Sequence, residues 1–131
     1  MNLAIPQINL VLAWLWVFLG FASGMFLGAN FHKENWLGGY GSFRRRLYRL
    51  CHISFFGLGA VNLMFYFTVA GMTAAGAVLN FAAWGFILGA ITMPLCCILM
   101  AHFPQVRLLF AVPVFSLLIA GTLTLWEVTK L

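Results

Sequence analysis

The chain has 131 residues, 64% of them apolar and 7% charged, with a mean hydropathy of +1.04; soluble domains carry about 25% charged residues, so a water-soluble globule is excluded and the surrounding solvent is largely lipid. The net charge of +5 comes from seven Lys and Arg, five of them between Lys33 and Arg49, which reads as a topology signal rather than a nucleic-acid surface. Each helical span needs about 20 apolar residues, so four use about 80 and leave no room for a soluble catalytic domain.

Met1–Gln7 places no basic residue ahead of the first apolar run, so a cleaved signal peptide is not expected. The first span covers residues 8–29, interrupted only by the uncharged Asn9 and Ser23. Asn30, His32, Lys33, Glu34 and Asn35 end it, and Gly38, Gly39 and Gly41 then argue against a continuous helix. Arg44, Arg45, Arg46 and Arg49 introduce the second span, residues 48–70, and Gly71 to Gly76 is the expected turn into the third, residues 76–101. His102 to Arg107 connects to the fourth span, residues 108–126, and a short tail follows.

The runs are apolar on all sides, which a β-barrel's alternating strands are not. The fold class is therefore all-α: a polytopic membrane protein, one domain, whose brief connections imply an antiparallel up-and-down bundle of four transmembrane helices. Six cations, Lys33, Arg44, Arg45, Arg46, Arg49 and Arg107, fall on one side and Lys130 alone on the other. The positive-inside bias places both loops in the cytoplasm and both termini outside, in a bacterial inner membrane. Trp14, Trp16 and Trp126 mark the outer interface, and Trp36, Tyr40 and Tyr48 the inner one.

Small residues suggest where helices meet. Gly20, Gly24 and Gly28 form one stripe and Gly85 and Gly89 another, so spans one and three are expected to make the tightest backbone contacts, and the same stripes are candidates for self-association or for binding other membrane subunits. With a turn centred on Gly71, Asn62 and Asn80 lie at equal depth and would pair, for about 0.6 kcal/mol on average. Pro94 and Pro113 are expected to kink their helices.

Chemistry is sparse. Glu34 and Glu127 lie on opposite sides, so no carboxylate pair forms. His52 is the histidine within the apolar region, and imidazole ligates haem iron and copper. His52 with His102 is one candidate set, for haem b. His52 with Met93, Cys96 and Met100 is another, for copper, because thioether and thiolate groups favour Cu(I). The structural alternative has His52 bonded to a neighbouring helix and the sulfur groups filling gaps in the core.

Over Gly24-Met-Phe-Leu-Gly-Ala-Asn-Phe-His32 and Phe43-Arg-Arg-Arg-Leu-Tyr-Arg49, the chain resembles short four-helix membrane proteins linked to haem or copper handling. These are the membrane-bound protoporphyrinogen oxidases of the short bacterial type and the copper-resistance membrane proteins. The resemblance implies the bundle architecture and a basic start to span two. Those oxidases are expected to carry a histidine early in span one, and this chain has none before His32, so no site residue is carried over. The sequence reading is thus a small integral inner-membrane protein, a non-catalytic accessory or partner subunit of a membrane complex embedded in the lipid bilayer. The alternative is a haem b- or copper-binding redox protein using His52.

Overall fold

A computed structural model describes residues 4–73 and 76–131. Its elements are α1 (Ala4–Asn30), α2 (Phe43–Ala70), α3 (Ala77–His102) and α4 (Ala111–Val128), with 3-10 segments at Trp36–Gly38 and Pro104–Phe110. No strand occurs among the described residues, and the four helices form a bundle. Four stretches, Pro6–Asn30, Phe43–Ala70, Ala77–His102 and Pro104–Val128, are long and apolar enough to cross a membrane, which makes the chain a candidate multi-pass membrane protein. The turn expected at Gly71 to Gly76 contains residues 74 and 75, which lie outside the described residues.

The glycine-rich connection breaks the helix as its composition requires. Gly38 and Gly39 have φ of 86° and 100°, in the region open mainly to glycine, and Leu37 beside them is left-handed at φ 53°. Ser42 then starts α2: its Oγ accepts from the Arg45 N–H at 3.2 Å and donates to the Leu37 carbonyl at 2.6 Å. One hydroxyl thereby ties the turn to the helix it precedes.

Packing follows chain order: α1 lies on α2, α2 on α3 and α3 on α4, with a narrower contact between α1 and α3. The expected tight approach of spans one and three is therefore corrected. A Cβ added at Gly20 would lie 2.7 Å from the Phe56 ring, and one at Gly24 2.9 Å from His52 Cε1, so this stripe receives side chains from α2. Gly85 and Gly89 likewise receive Ala120 and Leu117 of α4. Short connections bring sequential helices together first, and the small faces are covered within the chain by those neighbours. Gly28 alone of the five has nothing within 4 Å of an added Cβ.

Two polar bonds join α1 to α3. Asn9 Nδ2 donates to the Ala83 carbonyl at 3.2 Å and Trp16 Nε1 to the Ala90 carbonyl at 3.0 Å, both across 74 residues. The second bond has a cause in the sequence. Pro94 has no N–H, so the carbonyl four residues earlier, that of Ala90, loses its helical donor. The Trp16 indole supplies one, and α3 continues through Pro94 to His102. Trp16 is accordingly buried at 8% exposure while Trp14 is 64% exposed. Pro113 also differs from expectation. Because residues Pro104–Phe110 form a 3-10 segment, Pro113 falls in the first turn of α4, where an N–H has no helical acceptor to lose.

Asn62 pairs with Asn9 rather than with Asn80. Asn9 Nδ2 donates to Asn62 Oδ1 at 2.8 Å, and Asn62 Nδ2 donates to the Leu58 carbonyl at 2.9 Å. Both amides are fully buried, whereas Asn80 is half-buried beside the core residue Leu79. The helical phase at the start of α3 sends Leu79, Ala82 and Ala83 inward and leaves Asn80 off that face. Two core clusters complete the interior, one around Leu12, Trp16, Leu58, Ile87 and Ala90, the other around Phe65, Val69, Leu79 and Phe86.

Candidate functional site

The polar side chains gather at the end of the bundle that carries the arginines. Arg45, the third residue of α2, is 2% exposed. Its guanidinium donates through Nη2 to the Phe31 carbonyl at 2.8 Å and through Nη1 to the Lys33 carbonyl at 3.2 Å. The Tyr40 ring centroid lies 4.0 Å from its Cζ, with the Phe31 and Trp36 rings each at 5.4 Å. Carbonyl dipoles and aromatic faces thus surround the buried charge. Arg44 Nε donates to the Ala101 carbonyl at 3.1 Å, satisfying a group at the C-terminus of α3. Among the described residues the one carboxylate–cation pair is Glu127 with Lys130, at the other end of the chain, so none of the four arginines at the start of α2 has an acidic partner.

His52 lies one helical turn beyond Arg49 on the α1 side of α2. Its Nδ1 is 2.8 Å from Ser23 Oγ, which is also 3.0 Å from the Gly20 carbonyl, and the imidazole meets the Phe56 ring edge-on at 5.5 Å. The Ser23 hydroxyl has one proton. Given to Gly20, it requires Nδ1–H and leaves a lone pair on Nε2; given to His52, it leaves Nε2 as a donor. A pocket of about 330 Å³ lies here between α1 and α2, lined by Gly24, Gly28, Trp36, Arg45, Arg49 and His52 among others. Its floor exists because Gly24 admits the His52 ring and Gly28 projects nothing.

The other sequence candidates are elsewhere. His102 Nε2 is 2.9 Å from the Tyr48 hydroxyl, at an exposed position. The two histidines take separate partners, His52 on α1 and His102 on α2. Cys96 Sγ is 3.5 Å from the Leu109 carbonyl, and Met93 packs on the cluster containing Leu12 and Trp16; Met100 is half-buried near the end of α3. No group of three or more His, Cys, Asp or Glu able to hold a metal ion occurs among the described residues, and Cys51, Cys96 and Cys97 are free.

Sequence reasoning singled out His52 but not Ser23, Trp36 and Arg45 as its surroundings. The signal for Trp36 was the Gly38-Gly39 turn, which folds the preceding aromatics back over the start of α2. No family model, curated protein or solved structure matches the chain.

Proposed function

We propose that the chain is a multi-pass inner-membrane protein, its helices crossing up and down in antiparallel sequence, that acts as a non-catalytic partner subunit of a membrane complex. The contacts support the topology: along α1 and α2 the paired residues run Asn9–Asn62, Gly20–Phe56 and Ser23–His52, rising on one helix as they fall on the other. Gly85–Ala120 and Cys96–Leu109 repeat the pattern for α3 and the α4 side. Charge supports the orientation with both termini outside. Among the described residues the cations at the arginine-rich end have no acidic partner, and Lys130, paired with Glu127 at 2.6 Å, is the one cation at the other end.

The observation that carries the partner role is the open edge at α4. That helix buries only Pro113 and Ala120, against eleven residues for α3, and a groove of about 340 Å³ runs between it and α2, lined by Met64, Thr68, Gly121, Thr124 and Leu125 among others. Lipid tails provide little drive for apolar association, so helices pair where small residues permit close approach, and Gly121 has nothing within 4 Å of an added Cβ. A photo-crosslinking residue at Leu125 or Met64 tests this in intact membranes. A discrete protein adduct is expected from both positions and none from Trp14, on the outer side of α1. Adducts with lipid alone, from protein that purifies as a single species in mild detergent, would overturn the reading.

A further inference from the structure

The pocket between α1 and α2 has a composition that the partner role does not use. Its walls are apolar, formed by Leu27, Gly28, Phe31 and Ile53, and its basic side holds Arg45 and Arg49. Arg45 is buried, and of the five N–H donors of a guanidinium only two are taken, by the Phe31 and Lys33 carbonyls. Arg49 has a single long contact, Nη2 to the Tyr40 carbonyl at 3.5 Å. His52 adds a ring nitrogen, Nε2, with no protein partner, since Ser23 engages Nδ1. A positive charge buried without a counter-ion calls for an anion, and a cationic rim above an apolar hollow calls for one that carries an apolar body.

We propose that this pocket binds the phosphate head of an anionic glycerophospholipid, held by Arg49 and His52 beside the Arg45 charge, with an acyl chain along Leu27, Gly28 and Ile53. Phosphate oxygens accept from the Arg49 fork and from His52 in the form that carries its proton on Nε2, with the Ser23 hydroxyl turned to Nδ1. Gly28 is the hollow the acyl chain occupies, because any side chain there would fill it. The lipid is favoured over free phosphate because the pocket lies between two helices long enough to span a membrane, and its walls are mainly carbon. This inference rests on the membrane-spanning reading.

The test is native mass spectrometry of the detergent-purified protein titrated with phosphatidylglycerol or with phosphatidylcholine of the same chains. Selective retention of phosphatidylglycerol is expected. Gly28→Leu, which meets no protein atom near its Cβ, and Arg49→Gln should each weaken it about tenfold, equivalent to about 1.4 kcal/mol. Arg46→Gln, an exposed arginine outside the pocket, should leave it unchanged, and helical circular dichroism should match the parent in all three. Equal binding of the two lipids, or equal loss in Arg46→Gln and Arg49→Gln, would overturn the site. So would displacement by millimolar inorganic phosphate, or a Soret band that disappears in His52→Ala, which would make the pocket a porphyrin site. Recovery of monodisperse native chain without any amphiphile would instead overturn the membrane reading beneath it.

Discussion

Arg45 shows how one residue can do what its three neighbours of like charge do not. Arg44 and Arg46 are exposed, whereas Arg45 turns inward and its planar fork reaches two carbonyls, of Phe31 and Lys33, in the segment that leaves α1. The bonds hold that segment over the start of α2 and position Trp36 and Tyr40 against the guanidinium. Lysine retains the charge but offers a single ammonium that cannot reproduce the flat two-carbonyl geometry. Arg45→Lys is therefore expected to destabilise the protein by about 1.5–3 kcal/mol, the range for hydrogen bonds to charged groups. Thermal unfolding in detergent reads this, together with faster tryptic cleavage after Lys33. Unchanged melting and cleavage would show that charge alone suffices.

At the scale of the helix, Pro94 and Trp16 form a compensating pair. Proline opens the α3 ladder at the Ala90 carbonyl, and the Trp16 indole from α1 closes it at 3.0 Å. Trp16→Phe keeps an aromatic ring but leaves a buried carbonyl unpaired, a loss expected to cost about 1–3 kcal/mol. Pro94→Ala restores the N–H in α3, so the same Trp16→Phe change made on that background should cost at least about 1 kcal/mol less. A double-mutant cycle by thermal unfolding measures the difference, and additive effects would refute the coupling. This pair also marks how far the sequence could be read. Spans were legible because hydropathy integrates over about 20 residues. Which face packs was not, because helices apolar all round carry no amphipathic stripe. Trp14 and Trp16 are one letter in the sequence, and only the neighbouring helix's missing donor distinguishes them. Similarly, His52 was legible as an ionisable group in an apolar run, but its contact with Ser23 depends on the α1–α2 register, which the glycine-rich connection sets and composition does not reveal.

For the whole molecule, the proposed orientation rests on the distribution of charge. Five basic residues in the connection and the start of α2, with Arg107 beyond α3, stand at the end where α1 finishes, and the opposite end holds Glu127 and Lys130 joined to each other. Moving the arginine end across a membrane would carry guanidinium groups that lack an acidic partner through hydrocarbon, each at about 2.5–3.5 kcal/mol on insertion scales; the other end holds one cation, paired with Glu127. Arg45 makes the difference larger than a surface cluster would, since its carbonyl and aromatic partners belong to the same end and fold with it. In the proposed orientation a cysteine at Gly41, which is exposed and open to an added side chain, faces the cytoplasm, and one at Leu131 faces outward. With Cys51, Cys96 and Cys97 replaced by alanine, an impermeant maleimide should label Gly41→Cys in inside-out vesicles only and Leu131→Cys in right-side-out vesicles only. The reverse pattern would mean that the arginines do not set the topology, and labelling of both positions from one side would mean that the chain crosses an even number of times between residues 41 and 131 instead of the three that α2, α3 and α4 require, leaving the four-span arrangement untenable.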